Sequence, residues 1–173
     1  TCCRLPGTDG KAKMSKSLGN CIYLSDTSKE IKKKVNSMFT DPEHLQITDP
    51  GHVEGNVVFT YLDAFSNDEH FAKYLPEYAN LDEMKDHYRR GGLGDGTCKK
   101  FLFNIMEEFL QPMRERRKQY EQNIPQVYEI LRKGSEAARA EAAKTLSDVR
   151  KAMKIDYFDD ADLIAEHTKK YQG

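Results

Sequence analysis

The chain has 173 residues, 38% apolar and 32% charged, with a net charge of −1. That length suits one domain, or one and a half, around a modest core, and the composition favours a soluble, helix-rich protein over a disordered one. No apolar run approaches the roughly 18–20 residues of a membrane span, and the opening TCCRLPGTDG has neither a signal core nor an initiator methionine.

That opening reads as a cut edge, so the chain is expected to belong to a longer protein. The four cysteines, Cys2, Cys3, Cys21 and Cys98, form no CxxC pair, which argues against zinc and for reduced thiols in a cytoplasmic protein. Charge is uneven along the chain. Residues 1–38 carry eight Lys or Arg against three Asp or Glu, a net of +5, and residues 39–98 carry four against twelve, a net of −8. Solvated helix faces account for most of this; the positive charge of the first segment lies in a loop.

In chain order, GTDGKAKMSKSLGN, Gly7 to Asn20, comes first. It has too few apolar residues for a core, no helical or strand period, and a glycine and serine content that predicts a mobile loop. CIYL follows as one short strand or an extended link. Thr27 and Glu30 have capping-box spacing, and Ile31, Val35 and Met38 then make one apolar stripe of a helix. Asp41-Pro42 and Asp49-Pro50-Gly51 punctuate a loop. NVVFTYLDAF favours a strand by its β-branched residues, but Asn56 is a good cap and Val58, Leu62 and Phe65 keep helical spacing, which predicts a helix. DEHFAKYL and NLDEMKDHYRRGG predict two more, the second capped by Asn80 with Glu83 and stopped at Gly91.

The longest helix is predicted from about Thr97 to Tyr120. Leu102, Met106, Phe109 and Met113 form its stripe, and Phe101, Phe103, Ile105 and Leu110 widen it. Pro112 should kink it. Pro125 opens a short helix that Gly134 ends. A last helix spans Ser135 to Lys154, with Ala138, Ala142, Leu146, Val149 and Met153 facing inward, and beyond Phe158 the polar tail should fray. The expected fold is mainly α, an irregular helical bundle preceded by a flexible loop and a short extended segment.

Several sites are excluded. Gly7 and Gly10 are too close for a Walker loop, and Ala12 follows Lys11. GGLGDGT follows a helix and has Thr97 where the third glycine of a dinucleotide fingerprint belongs; RRGG reads as a helix end. His44, His52, His70, His87 and His167 lack partners at triad spacing, and Asp159, Asp160 and Asp162 do not form a calcium loop. No metal site is expected.

There remains KMSKS, Lys13 to Ser17. It resembles the signature loop of the class I aminoacyl-tRNA synthetases, and KMSKSLGN continues that signature past its end. IYLSDTSKEIKKKV, MFTDP, YRRGGLGDGTCKKFL, EEFLQPMRERRKQY and LRKGSEAARAEAAKTLSDVRKAM are similar to the bacterial tryptophanyl-tRNA synthetases, so the likeness runs nearly to Phe158. The resemblance implies a loop that closes over ATP while tryptophan is converted to tryptophanyl-adenylate and pyrophosphate, before transfer to tRNA(Trp). It makes Lys16 the main catalytic phosphate lysine and Lys13 its partner. Lys13, Met14, Ser15, Lys16 and Ser17 become the ATP-binding set; Ser15 and Ser17 are short donors, and either the backbone near Met14 lies against adenine or Met14 serves as a structural plug. Mobile ammonium groups meeting charge that develops on leaving oxygens give such a loop its chemical sense.

The resemblance also implies Mg2+ accompanying ATP, no cofactor bound by this chain, no membrane, and a homodimeric parent of which this chain alone is compatible with a monomer. Residues 1–24 would be a remnant of the catalytic domain, 25–158 a helical tRNA-binding domain of the anticodon-binding type, and 159–173 a polar tail. Family members carry an upstream αβ domain with a HIGH-like motif, and nothing like HxGH precedes Lys13. The chain thus resembles the C-terminal half only, and alone it should be inactive. Within RERRK, helical spacing puts Arg114, Arg117 and Lys118 on one side as candidate tRNA contacts, although Glu115 and Glu121 are near and charged helix ends are commonly just solvated. The alternative is a stand-alone RNA-binding or adaptor module with a vestigial loop.

Overall fold

The computed structural model describes residues 4–158 and 160–172. Expectations for Cys2, Cys3 and Asp159 lie outside the described residues. Seven helices account for most of these: α1 (Ser28–Asn36), α2 (Val57–Phe65), α3 (Asp68–Tyr74), α4 (Leu81–Arg90), α5 (Asp95–Glu121), α6 (Ile124–Met153) and α7 (Ala161–Tyr171). The only β pairing among the described residues is one antiparallel bridge, Pro6 with Lys13, so CIYL is an extended link. The chain divides into two compact units, Thr1–Lys118 and Gln119–Gly173.

The first unit holds the core. The α1 capping box forms in both halves: Glu30 N–H donates to Thr27 Oγ1 at 3.3 Å, and Thr27 N–H donates to Glu30 Oε2 at 2.7 Å. Asn56 caps α2 through Val58 N–H at 3.1 Å, and Val57, Val58, Phe59, Tyr61 and Leu62 are all buried. The strand-like residues of this segment become helical because burial on nearly every side outweighs their intrinsic preference. Asn80 caps α4 as expected, but Glu83 reaches Ala79 N–H at 2.8 Å, one residue short of a full box. On α5 the buried stripe is Cys98, Phe101, Leu102, Ile105, Met106 and Leu110. Phe109, expected inside, is exposed. The helix runs unbroken through Pro112.

Tyr88 of α4 sits at the centre of this core. Its hydroxyl donates to Asp95 Oδ1 at 2.7 Å and accepts from Asn56 Nδ2 at 3.3 Å. His44 and Phe59 meet its ring edge-on, with centroids 4.6 and 4.9 Å away. Gly51 lies against the same ring, where an added Cβ would come within 2.3 Å of it. Burial first, and then the Asp95 bond, push the Tyr88 phenol far above its ordinary range. Burial also pushes the Cys98 thiol up to about 12, which makes it an inert core residue.

The second unit departs from expectation three times. Gly134 does not end a helix; α6 continues from Ile124 to Met153. Ion pairs from Arg132 to Glu129 (2.8 Å) and Glu136 (2.7 Å) bracket it, and thirty helical residues outvote one glycine costing about 1 kcal/mol. The stripe expected to face inward is open: no residue of α6 is buried, and Leu146, Val149 and Met153 are all exposed. The tail forms α7 instead of fraying, because the Asp160 carboxylate accepts from Leu163 N–H at 2.9 Å.

Nothing lies within 4 Å of a Cβ built on Gly134. Gly134→Ala should therefore stabilise α6 by about 0.5–1 kcal/mol. Urea unfolding followed at 222 nm will show it as a rise in midpoint; a fall would mean that the helix is interrupted there.

Candidate functional site

The segment from Gly7 to Asn20 is not an unframed coil. The side chain of Asn20 is buried inside it and ties three other loop residues together. Its Oδ1 accepts from Ser15 N–H at 2.7 Å, and its Nδ2 donates to Asp9 Oδ1 at 3.1 Å and to the Lys13 carbonyl at 3.3 Å. Its own carbonyl accepts from Thr8 N–H at 3.0 Å. Gly7 is required next to it, since a Cβ at that position would stand 2.1 Å from Asn20 Nδ2. A second short turn, with Leu18 N–H to the Ser15 carbonyl and Gly19 N–H to the Lys16 carbonyl, both at 3.2 Å, forms the tip. Gly19 takes a φ of +67° there.

This frame is fixed to the first unit's core at three points. Tyr61 of α2 donates its hydroxyl to the Pro6 carbonyl at 2.8 Å, and Phe39 N–H donates to the Thr8 carbonyl at 3.0 Å. Gly10, at φ +68°, packs so closely on Phe39 and Val57 that a Cβ would meet them at 3.0–3.1 Å. A glycine-rich loop is thereby positioned by the helices behind it.

The structure brings Lys13, Met14, Ser15, Lys16 and Ser17 together. Lys16 and Ser17 are exposed at the tip, and Ser15 Oγ and Ser17 Oγ lie 2.9 Å apart. Lys13 is exposed on the stem beside the bridge to Pro6, while Met14 is half-buried. Neither lysine ammonium has an ion pair or side-chain hydrogen bond among the described residues. Sequence reasoning missed Asn20 and Arg4. Asn20 closes the quoted signature, and a buried amide among exposed cations is not visible in composition. Arg4 lines an open concavity of ≈ 300 Å³ with Pro6, Gly10, Lys11, Ala12 and Lys13.

In the proposed tRNA cluster, Arg114 is not an open cation. Arg114 is half-buried, its guanidinium donating to the Glu107 carboxylate and, at 3.5 Å, to the Asp26 carbonyl. Glu107 is seven residues back, two helical turns, and so falls on the same face. Arg114 is a strut between α5 and the link that leaves the loop; Arg117 and Lys118 are exposed.

Asp41, Glu43 and His52 bring ligand atoms within 4.8 Å of one another. Asp41, however, already accepts from Glu43 N–H (2.9 Å), His52 N–H (2.7 Å) and the His52 ring (2.9 Å), which makes it a clasp closing its loop. The Lys13–Ser17 loop offers ammonium groups and hydroxyls without a free carboxylate, so it does not fit a magnesium ligand set.

Residues 3–111 match the family described as tRNA synthetases class I (W and Y), and the chain belongs to that family. It is 57% identical over 155 residues to the tryptophan–tRNA ligase of Clostridium longisporum, covering 90% of this chain and 43% of that one. It is 54% identical to the tryptophan–tRNA ligase of Streptococcus pyogenes, covering 44% of it. Its fold matches the tryptophanyl-tRNA synthetase of Campylobacter jejuni, solved with ADP and tryptophan, with a TM-score of 0.67 at 26% identity, over 87% of this chain and 43% of that one. The chain thus spans less than half the length of the curated relatives it matches. No helix among the described residues is long and apolar enough to cross a membrane.

Asn20→Ala should abolish the hydrogen-exchange protection of the Ser15 amide while α2 and α4 amides keep theirs; equal loss throughout would show that the hub holds the core as well. The Asn20 amide, opposed by desolvation and aided by Lys11 N–H, holds Asp9 below the usual carboxylate range. Its contribution to loop order is therefore complete above the unfolded pKa of about 3.9 and lost as pH falls through the lower folded value. Carboxyl carbon shifts of Asp9 in the native chain and in Asn20→Ala will report it, the variant titrating higher.

Proposed function

We propose that this chain works as part of a tryptophan–tRNA ligase, supplying the loop that stabilises leaving pyrophosphate and helices that bind tRNA(Trp). The observation that carries this reading is the pair of ammonium groups, Lys13 and Lys16, without ion pairs among the described residues, on a loop framed by a buried amide. The ligase names of its relatives agree with it. A carboxylate oxygen of tryptophan attacks the α-phosphorus of ATP, the bond from that phosphorus to the bridging oxygen breaks, and pyrophosphate departs with the electron pair. Charge grows on the leaving oxygens, where Lys16 at the tip and Lys13 on the stem meet it more strongly than in the ground state. Ser15 and Ser17 offer hydroxyls to the same phosphates. Any Mg2+ would accompany ATP as part of the substrate, since the Lys13–Ser17 loop offers it no carboxylate. The reaction is one of cytoplasmic translation.

In the complete ligase, Lys16→Ala should slow tryptophan-dependent ATP–pyrophosphate exchange by about 10²-fold or more, roughly 3 kcal/mol, with little change in tryptophan affinity. An unchanged rate would remove Lys16 from the chemistry. For tRNA, the proposal rests on the exposed end of α5: Arg117→Glu with Lys118→Glu should weaken tRNA(Trp) binding and lower its salt slope by about 1–2, leaving exchange intact. Equal loss in both assays would point to misfolding instead.

A further inference from the structure

Three cations line one small concavity on the stem of the loop, and the resemblance to known signatures accounts for only one of them. Arg4, Lys11 and Lys13 share a hollow of ≈ 300 Å³, the small end of the range for small-molecule sites. They meet because the Pro6–Lys13 bridge and the Gly7 N–H bond to the Ala12 carbonyl, at 2.7 Å, fold the two sides of the stem together. None of the three forms an ion pair or side-chain hydrogen bond among the described residues. The nearby acid forms no ion pair with them: Asp9 directs Oδ1 to Asn20 Nδ2 (3.1 Å) and to the backbone N–H of Lys11 (3.4 Å). Elsewhere the same chain pairs its cations, as with Lys34 and Asp26 (2.5 Å) or Arg89 and Glu54 (2.9 Å).

Like charges lining one hollow without an ion pair repel one another, and an anion that joins them relieves that repulsion. Gly10 fixes the floor of the hollow against Phe39 and Val57. An arginine here adds a planar fork that suits two oxygens of one phosphate, which lysines cannot supply.

We propose that this hollow is a diphosphate-holding subsite, separate from the Lys16 tip, in which Arg4 and Lys11 grip the pyrophosphate group with Lys13 between them and the tip. It rests on the reading that the loop serves ATP-dependent activation. Arg4 and Lys11 then act on retention and release of the diphosphate, while Lys16 acts on the barrier.

The test has two arms. In the first, the 173-residue chain is titrated with inorganic pyrophosphate at low salt and followed by amide NMR. Shifts are expected at Gly7, Gly10, Ala12 and Lys13, with dissociation constants roughly tenfold higher for Arg4→Gln and Lys11→Gln and unchanged for Lys29→Gln on α1. Shifts confined to residues 16–19, an unaltered constant in Arg4→Gln, or no shift at all would overturn the subsite. In the second arm, Arg4→Gln in the complete ligase should raise KM for pyrophosphate about tenfold in exchange while kcat holds. If Lys16→Ala impairs exchange and Arg4→Gln leaves that KM unchanged, the subsite alone fails. If Lys16→Ala has no effect, the activation reading fails first.

Discussion

The amide of Asn20 is the constraint on which the loop depends. An exposed segment rich in glycine, serine and lysine has many conformations and little apolar area with which to select one. Asn20 selects one by polar means. One buried side chain uses both its acceptor and its donor to tie Asp9, Lys13 and Ser15 together. Such an amide is costly to bury unless satisfied, so the loop must close around it or expose it. Gly7 makes the closure sterically feasible by leaving the space that Asn20 fills.

The helices behind the loop hold this frame in place. Tyr61 reaches the Pro6 carbonyl from α2, and α2 packs in the core around Tyr88 of α4. On the exit side, Asp26 receives Tyr23 N–H at 2.8 Å and Lys34 at 2.5 Å, while Arg114 takes the Asp26 carbonyl. Entry and exit are thus both tied to the first unit. The exposed Lys13 and Lys16 side chains are thus carried on a stem that the core holds in one conformation.

Much of this was legible from the residues. Thr27, Asn56, Asn80 and Gly91 marked helix ends because caps and stops act locally, over three or four residues. The loop announced itself as cationic and hydroxyl-bearing, and its likeness to the synthetase signature agrees with the family to which the chain belongs. The misreadings came where local signals were outvoted. Gly134 looks like a stop, yet strong helix formers on both sides carry α6 across it. Arg114 looks like a free cation in RERRK, yet Glu107 lies two turns before it on the same face.

By itself, the sequence determined the mainly helical class, most helix boundaries, and the chemical character of Lys13 to Ser17, since these follow from periodicity, caps and composition within a few residues. Only the tertiary structure decided that Asn20 is a buried hub, that Arg4 and Lys11 share a hollow with Lys13, and that Arg114 is a strut. Each of those depends on which side chains the folded backbone brings to one place, across a closed loop or between a helix and a distant link, and no local pattern encodes that meeting.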